Sequence, residues 1–277
     1  MSLGKILLVA LLLVVALAGA SILVAALRTP SHEGQWKAEY ARLPSAQLAG
    51  NEARITNVRD FVFEPDGALK EARYHDRDYD LSQLETLWYG ISHFTDYGLA
   101  HTFLSFGFAD GRYVTFSFEA RQETDQSYNP IRGVFGAYEL ILIVSEERDV
   151  IGRRTHIWGQ EVYLYQVTAA PEKIRELFEK LLIRVNEIHD QPEFYHTLTD
   201  NCTVSLWRYS QRISKLRLYT HPKLLLPGYS DEVAYDLGLI ANDRPFEEVR
   251  AAAKIDPSAF AYDDADYSKR LRGIEDD

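Results

Sequence analysis

Cysteine is nearly missing from this chain: Cys202 is the single thiol in 277 residues. One thiol permits no internal disulfide and no CxxC pair for redox or zinc chemistry. There is also no HExxH, no phosphate-binding P-loop and no Gly-x-Gly-x-x-Gly fingerprint, so neither a metal nor a cofactor is expected. Basic charge is short as well. Thirty Lys and Arg stand against 41 Asp and Glu, for a net charge of −11. Without a basic stripe interleaved with aromatics, nucleic acid is excluded as a partner. The same acidity weakens general attraction to anionic lipid, leaving any membrane contact to an anchor or a local site. Internal repeats and low-complexity linkers are absent too, so nothing divides the chain into an array.

Long hydrophobic runs are scarce apart from one. Ile6 to Leu27 is free of charge, following Lys5 and preceding Arg28. Those 22 residues span roughly 33 Å as a helix, enough to cross a bilayer. The rival reading is a signal peptide with Ala18-Gly19-Ala20 as its small-residue cleavage site. The apolar run continues past that site through Ile22, Leu23 and Val24, which favours an uncleaved single-pass anchor for residues 1–27. Either way the bulk is exported, into a compartment where thiols oxidise. A lone cysteine there is either packed as a small apolar residue or kept for its reactivity. Without residues 1–27, which carry +1, the remaining 250 residues carry −12. A hydrophobic content of 46% and 17 tyrosines indicate a sizeable folded core.

Along the exported part, residues 28–52 read as a juxtamembrane linker with a docking segment near Trp36 and Tyr40. Residues 53–245 read as one α+β domain, and 246–277 as a helical, then acidic, tail. Strand-like runs contain Ile55, Phe61 and Phe63, then span Leu87–Phe94, Thr102–Phe108, Tyr113–Phe118, Tyr138–Ser145 and Glu161–Val167. The clearest helix is Pro171–His189. Its apolar residues Ile174, Leu177, Phe178, Leu181, Leu182, Val185 and Ile188 keep helical spacing, with proline in the first turn. A second helix should start at Asn201 or Cys202 and run to about Ile213. The fold class is therefore α+β, an antiparallel sheet packed by helices.

The two strands around Asp110-Gly111 allow a choice of register. A two-residue loop would set Leu104 opposite Ser117 and mix apolar with polar residues on each face. A three-residue loop, Ala109-Asp110-Gly111 with Gly111 left-handed, segregates them instead. Thr102, Leu104, Phe106 and Phe108 then share one face with Val114, Phe116 and Phe118. His101, Phe103, Ser105, Tyr113, Thr115, Ser117 and Glu119 share the other. This register sets His101 opposite Glu119, within cross-strand reach. A carboxylate beside an imidazole orients the ring and favours its protonated form, though such a pair also occurs as a plain surface contact.

Asp200 or Asn201 can cap the second helix, which puts Cys202 in its first turn. The helix dipole and a nearby imidazolium would favour a thiolate there, as in a Cys–His enzyme. The N–H of Cys202 itself can contribute to an oxyanion hole. A buried, inert thiol under the helix is the alternative. His93, near a strand end, is the reserve base. His196 lies near Cys202 in sequence, while His32, His75, His156, His189 and His221 show no metal-site spacing.

Several stretches carry a family resemblance. They are Ala100-His101-Thr102-Phe103-Leu104-Ser105-Phe106-Gly107-Phe108, Phe116-Ser117-Phe118-Glu119-Ala120-Arg121, Tyr138-Glu139-Leu140 and Glu147-Arg148-Asp149-Val150-Ile151. Pro192-Glu193-Phe194-Tyr195 leads on to Asn201-Cys202-Thr203, and Leu226-Pro227-Gly228-Tyr229-Ser230 closes the set. Together they resemble the Lnb N-terminal periplasmic domain over roughly residues 36–242. The resemblance implies a permuted papain-like (NlpC/P60-type) fold, in which the histidine strand precedes the cysteine helix. It implies Cys202 as nucleophile, His101 as base and Glu119 as the orienting acid, with Asn201, Arg121, Glu123 and Tyr128 as site support. It further implies acyl transfer through an acyl-cysteine, a lipid or lipoprotein substrate, a possible membrane-protein partner and a place at the bacterial inner membrane, facing the periplasm. Two departures stand out. The family's Asn-Cys-Thr-Thr is here Asn201-Cys202-Thr203-Val204, and the further transmembrane helices of Lnb-type acyltransferases have no counterpart among the apolar runs of this sequence. A cell-wall peptidase or amidase using the same three residues, and a non-catalytic periplasmic binding or assembly module, are the alternatives.

Overall fold

The computed structural model describes residues 27–95, 98–210, 223 and 226–274, with isolated positions 4, 5, 12 and 19. Apart from those positions and Leu27, the candidate anchor lies outside the described residues. Among the described residues no helix is long and apolar enough to cross a membrane.

A large, mostly antiparallel sheet organises the molecule. Its order is β1 (Ser45–Ala49), β2 (Glu52–Arg59), β9 (Glu139–Ser145), β8 (Tyr113–Arg121), β7 (Ala100–Phe108), β6 (Leu84–His93), β10 (Glu161–Gln166), with β5 (Tyr74–Asp80) also paired to β2. One parallel contact, Arg59 with Ser145, joins β2 to β9. A small ribbon of β3 (Val62–Phe63) and β4 (Leu69–Glu71) lies outside this sheet. The helices are α1 (Pro130–Val134), α2 (Pro171–Asp190), α3 (Cys202–Ser210), α4 (Ser230–Asp236), α5 (Phe246–Ala253) and α6 (Tyr267–Arg270), and a π-helix spans Arg148–Ile157.

The β7–β8 hairpin adopts the segregating register: Leu104 faces Phe116, Ser105 faces Thr115 and Phe106 faces Val114. Phe108 N–H donates to the Arg112 carbonyl at 2.9 Å across the loop. Gly111 sits at φ 83°, where a side chain would be strained. One face of the hairpin therefore lies under helix α2 and helix α3, whose Tyr209 stacks on Phe118. Phe178 is fully buried there, with ring centroids 5.0 Å from Phe106 and 5.4 Å from Phe116, both edge-on. The entire predicted apolar stripe of α2 is buried. Each such side chain contributes roughly 1.5–3 kcal/mol by leaving water.

The opposite face is polar yet also buried. Thr115 Oγ1 bonds the Ser145 carbonyl at 2.9 Å, and Ser105 Oγ donates to Glu147. Buried charges on this side are paired, as their desolvation demands. Arg59 grips Asp149 with two bonds of 2.8 Å, and Arg272 from the tail forks onto Glu147 at 2.6 and 2.8 Å.

Residues 28–52 differ from the linker expectation. They supply β1, which pairs with β2 from Ser45–Thr56 to Ala49–Glu52, and a buried Tyr40 that reaches across to β8. Its apolar residues are too few and too irregularly spaced to be read as an element in sequence, although Trp36, Tyr40 and Leu43 pack with Ile141 and Ile143 of β9.

Pairing of β7 with β8 stops at Leu104–Phe116. Beyond that point β7 stays with β6 as far as Ala100, and β8 stays with β9 as far as Arg121. The two strands part at the end where the sequence places His101 and Glu119. Helix α3 begins over this parting, with Thr203 Oγ1 3.1 Å from Thr102 Oγ1.

Candidate active site

The parted strands, the start of α3 and the loop after the π-helix enclose an open cleft of about 570 Å³. Cys202, His101 and Glu119 all line it, together with Asn201 and Tyr128. Asn201 settles the choice of cap: its Oδ1 accepts the Val204 N–H at 2.8 Å, and Cys202 becomes the first helical residue. Its own amide donates to the Thr197 carbonyl at 2.7 Å, which fixes the loop before the helix. At the head of the helix the N–H of Cys202 has no helical carbonyl to bond.

His101 is held through one ring nitrogen. Nε2 lies 2.7 Å from Ser117 Oγ, and Ser117 Oγ donates to Glu119 Oε1 at 2.9 Å. The direct His101–Glu119 separation is 3.7 Å, so the serine hydroxyl bridges the pair. Glu119 in turn accepts from Arg154 at 3.1 Å and from the Tyr40 hydroxyl at 3.1 Å. The alternation of β8 that puts Glu119 beneath His101 puts Ser117 there too. Among the described residues no hydrogen bond joins His101 to Cys202, whose Sγ lies 3.8 Å from Thr203 Oγ1.

The electrostatics depart from the expected ion pair. Burial, seconded by the Arg154 cation, pushes His101 down from 6.5 to about 3, against the pull of Glu119. Burial raises Glu119, but the Arg154 and Arg59 cations and the Ser117 hydrogen bond outweigh it and hold the carboxyl at about 2. Burial pushes the Cys202 thiol up, and hydrogen bonds from Thr102 and Thr203 offset only part of this. The resting site is thus a neutral thiol, a neutral imidazole and a carboxylate paired with arginine.

Other sequence candidates divide. Tyr128 is on the cleft wall, its hydroxyl 3.3 Å from that of Tyr195. Arg121 and Glu123 do not line the cleft. Arg121 bonds the Tyr40 carbonyl at 2.9 Å and stacks on Trp36, so it acts on the site through Tyr40. Glu123 bridges to Trp36 and bonds Gln126. His93 does not line the cleft either; it packs edge-on against Tyr163, with burial lowering its pKa. Ser117, Arg154, Tyr40, Tyr195 and Gln160 were not singled out from sequence. Only Ser117 had a usable signal, its place two residues before Glu119 on one strand face. Gln160 lines the cleft with its Oε1 accepting from the buried Ser92 hydroxyl at 2.6 Å, and Ser92 is the cross-strand partner of His101.

A family model described as the Lnb N-terminal periplasmic domain matches residues 70–228, a stretch holding His101, Ser117, Glu119, Arg154 and Cys202. The chain belongs to the Lnb N-terminal periplasmic domain family. No curated protein and no solved structure matches it. Membership points to a periplasmic location. Tyr40 lies before the stretch matched to the Lnb N-terminal domain, so one of the three hydrogen bonds that hold Glu119 comes from outside it.

Proposed function

We propose that this protein is a membrane-anchored periplasmic acyltransferase or acyl hydrolase that works through an acyl-Cys202 intermediate on lipid or lipoprotein substrates. Its anchor, residues 1–27, would hold it as a single-pass protein of the bacterial inner membrane, and its site is arranged as in permuted papain-like enzymes. The observation that carries the reading is the meeting of Cys202, at a helix start, and His101, backed by Ser117 and Glu119, on one largely apolar cleft.

Because thiol and imidazole both rest neutral, the mechanism is general-base catalysis rather than attack by a standing thiolate. His101 takes the Cys202 proton as sulfur bonds to an ester carbonyl carbon. The imidazolium formed at that moment is stabilised by Glu119 through Ser117. Charge on the carbonyl oxygen is met by the free N–H of Cys202, with the Gln160 amide as a second donor on the cleft wall. Collapse breaks the ester bond, and the leaving alcohol receives the proton from His101. The thioester then passes to an amine or to water, whose proton returns through the same imidazole.

Apolar walls of Phe94, Leu99, Phe118 and Leu198 favour an acyl chain over a peptidoglycan peptide as occupant. The raised thiol pKa favours the rival reading of a packed cysteine in a binding module. One experiment separates all three. Full-length protein in membranes is incubated with phospholipid labelled in its acyl chains, or with peptidoglycan fragments. Thioester-linked label that vanishes in Cys202→Ala supports the proposal. Cleaved peptidoglycan without label supports a peptidase, and neither product supports the binding module.

A further inference from the structure

Large apolar residues on a protein surface are ordinarily scattered, and a contiguous patch marks a contact. Here they collect around one opening. Phe94, Leu99, Tyr128, Trp158, Leu198 and Leu226 all line the cleft, and each is at least 41% exposed. The patch continues onto α1, whose first residue, Pro130, also lines the cleft. Ile131 is 69% exposed there, and Phe135 follows at the helix end. Thr197 Oγ1 ties α1 to the loop bearing Leu198 by a 2.7 Å bond to the Pro130 carbonyl.

The start of the folded chain reaches the same rim. Arg28, the residue that ends the uncharged run Ile6–Leu27, lies over the ring of Phe194 at 5.6 Å. Phe194 immediately precedes Tyr195, which forms the cleft wall against Tyr128. An anchor ending at Leu27 therefore delivers the domain to the bilayer with this rim beside the attachment point and no spacer between. The rim's chemistry suits that position: aromatic and aliphatic side chains for the acyl boundary, with Arg28 and Arg132 flanking them for headgroup phosphates.

We propose that this rim beds into the periplasmic leaflet of the membrane that holds the anchor, so that the cleft opens directly into lipid. The occupant of the apolar surface is the bilayer itself, and a lipid-borne acyl group reaches Cys202 without crossing water. This rests on the anchored acyl-transfer reading above, but its test does not use the chemistry.

The full chain carrying Cys202→Ser has no thiol, so a single reporter can be placed by Ile131→Cys or Leu198→Cys. Leu48→Cys and Leu69→Cys, at exposed leucines that do not line the cleft, serve as controls. Each variant is labelled with an environment-sensitive fluorophore and reconstituted into phosphatidylethanolamine–phosphatidylglycerol vesicles, with nitroxide-bearing lipid or aqueous iodide as quencher. Lipid quenching at 131 and 198 should exceed that at 48 and 69 by at least about twofold, with the reverse order for iodide. Equal quenching at all four positions overturns the proposal. So does shielding of the rim from both quenchers, which would assign it to a protein cover. Alkaline extraction of the same vesicles reports separately on the anchor, and loss of Cys202 leaves every readout intact.

Discussion

The two faces of the β7–β8 hairpin are both largely buried and built on opposite principles. On one, Phe106 and Phe116 close around Phe178 with no polar atom to satisfy. On the other, His101, Ser117 and Glu119 form a chain of hydrogen bonds that ends on Arg154 and Tyr40. The first face makes the platform rigid; the second uses that rigidity to hold an imidazole out of water. Stability and proposed chemistry thus lie on either side of the same two strands, and substitutions should separate them.

The largest effect on the apolar face is expected from Phe178→Ala, which opens a cavity among four aromatic rings. It should cost about 3–5 kcal/mol in urea unfolding, while activity per folded molecule stays near that of the parent. His101→Ala should do the converse. Acyl transfer should fall by about 10²–10⁴-fold in single-turnover assays, with the urea midpoint not lowered. Tyr40→Phe removes a bond to the buried Glu119 carboxylate and should cost about 1.5–3 kcal/mol by the same unfolding measurement. Because Tyr40 belongs to the segment before the matched family stretch, this variant also tests whether that segment completes the site.

Proton linkage gives a smaller effect with a fixed sign. Below pH 6.5 the unfolded chain binds a proton at His101, whereas the folded protein refuses it until about pH 3. Stability should therefore fall as pH drops through that window, by about 1.4 kcal/mol per pH unit for one proton. Glu119 adds loss in the same direction lower down, since its folded carboxyl stays ionised from 4.5 to about 2. Unfolding of His101→Gln followed between pH 6.5 and 4.5 should show a slope shallower by that one proton. An unchanged slope would mean that His101 is not held neutral by the fold.

Much of this division was legible in the residue order. Alternation in Thr102–Phe108 and Tyr113–Phe118, with Gly111 at a position needing positive φ, selected the register and put His101 and Glu119 on one face. The α2 stripe and the cap before Cys202 were equally readable, because each depends on near neighbours. Arg154 and Tyr40 were not: one lies on a π-helix, which has no sequence period to read, and the other sits in a segment whose partner is 79 residues away. The protonation states failed for a related reason. Sequence placed Glu119 beside His101, but the depth of burial and the arginine that claims Glu119 come only from the three-dimensional packing.

Acyl transfer through this site requires that Cys202 carry an acyl group in its working cycle. Intact-mass and peptide analysis of the full-length protein from its native membrane tests this most directly. The peptide containing Cys202 should carry a hydroxylamine-sensitive fatty-acyl mass, accumulating when acceptor is withheld and absent from Cys202→Ala. A thiol that remains unmodified under those conditions, with lipid turnover undiminished in Cys202→Ala, would contradict it.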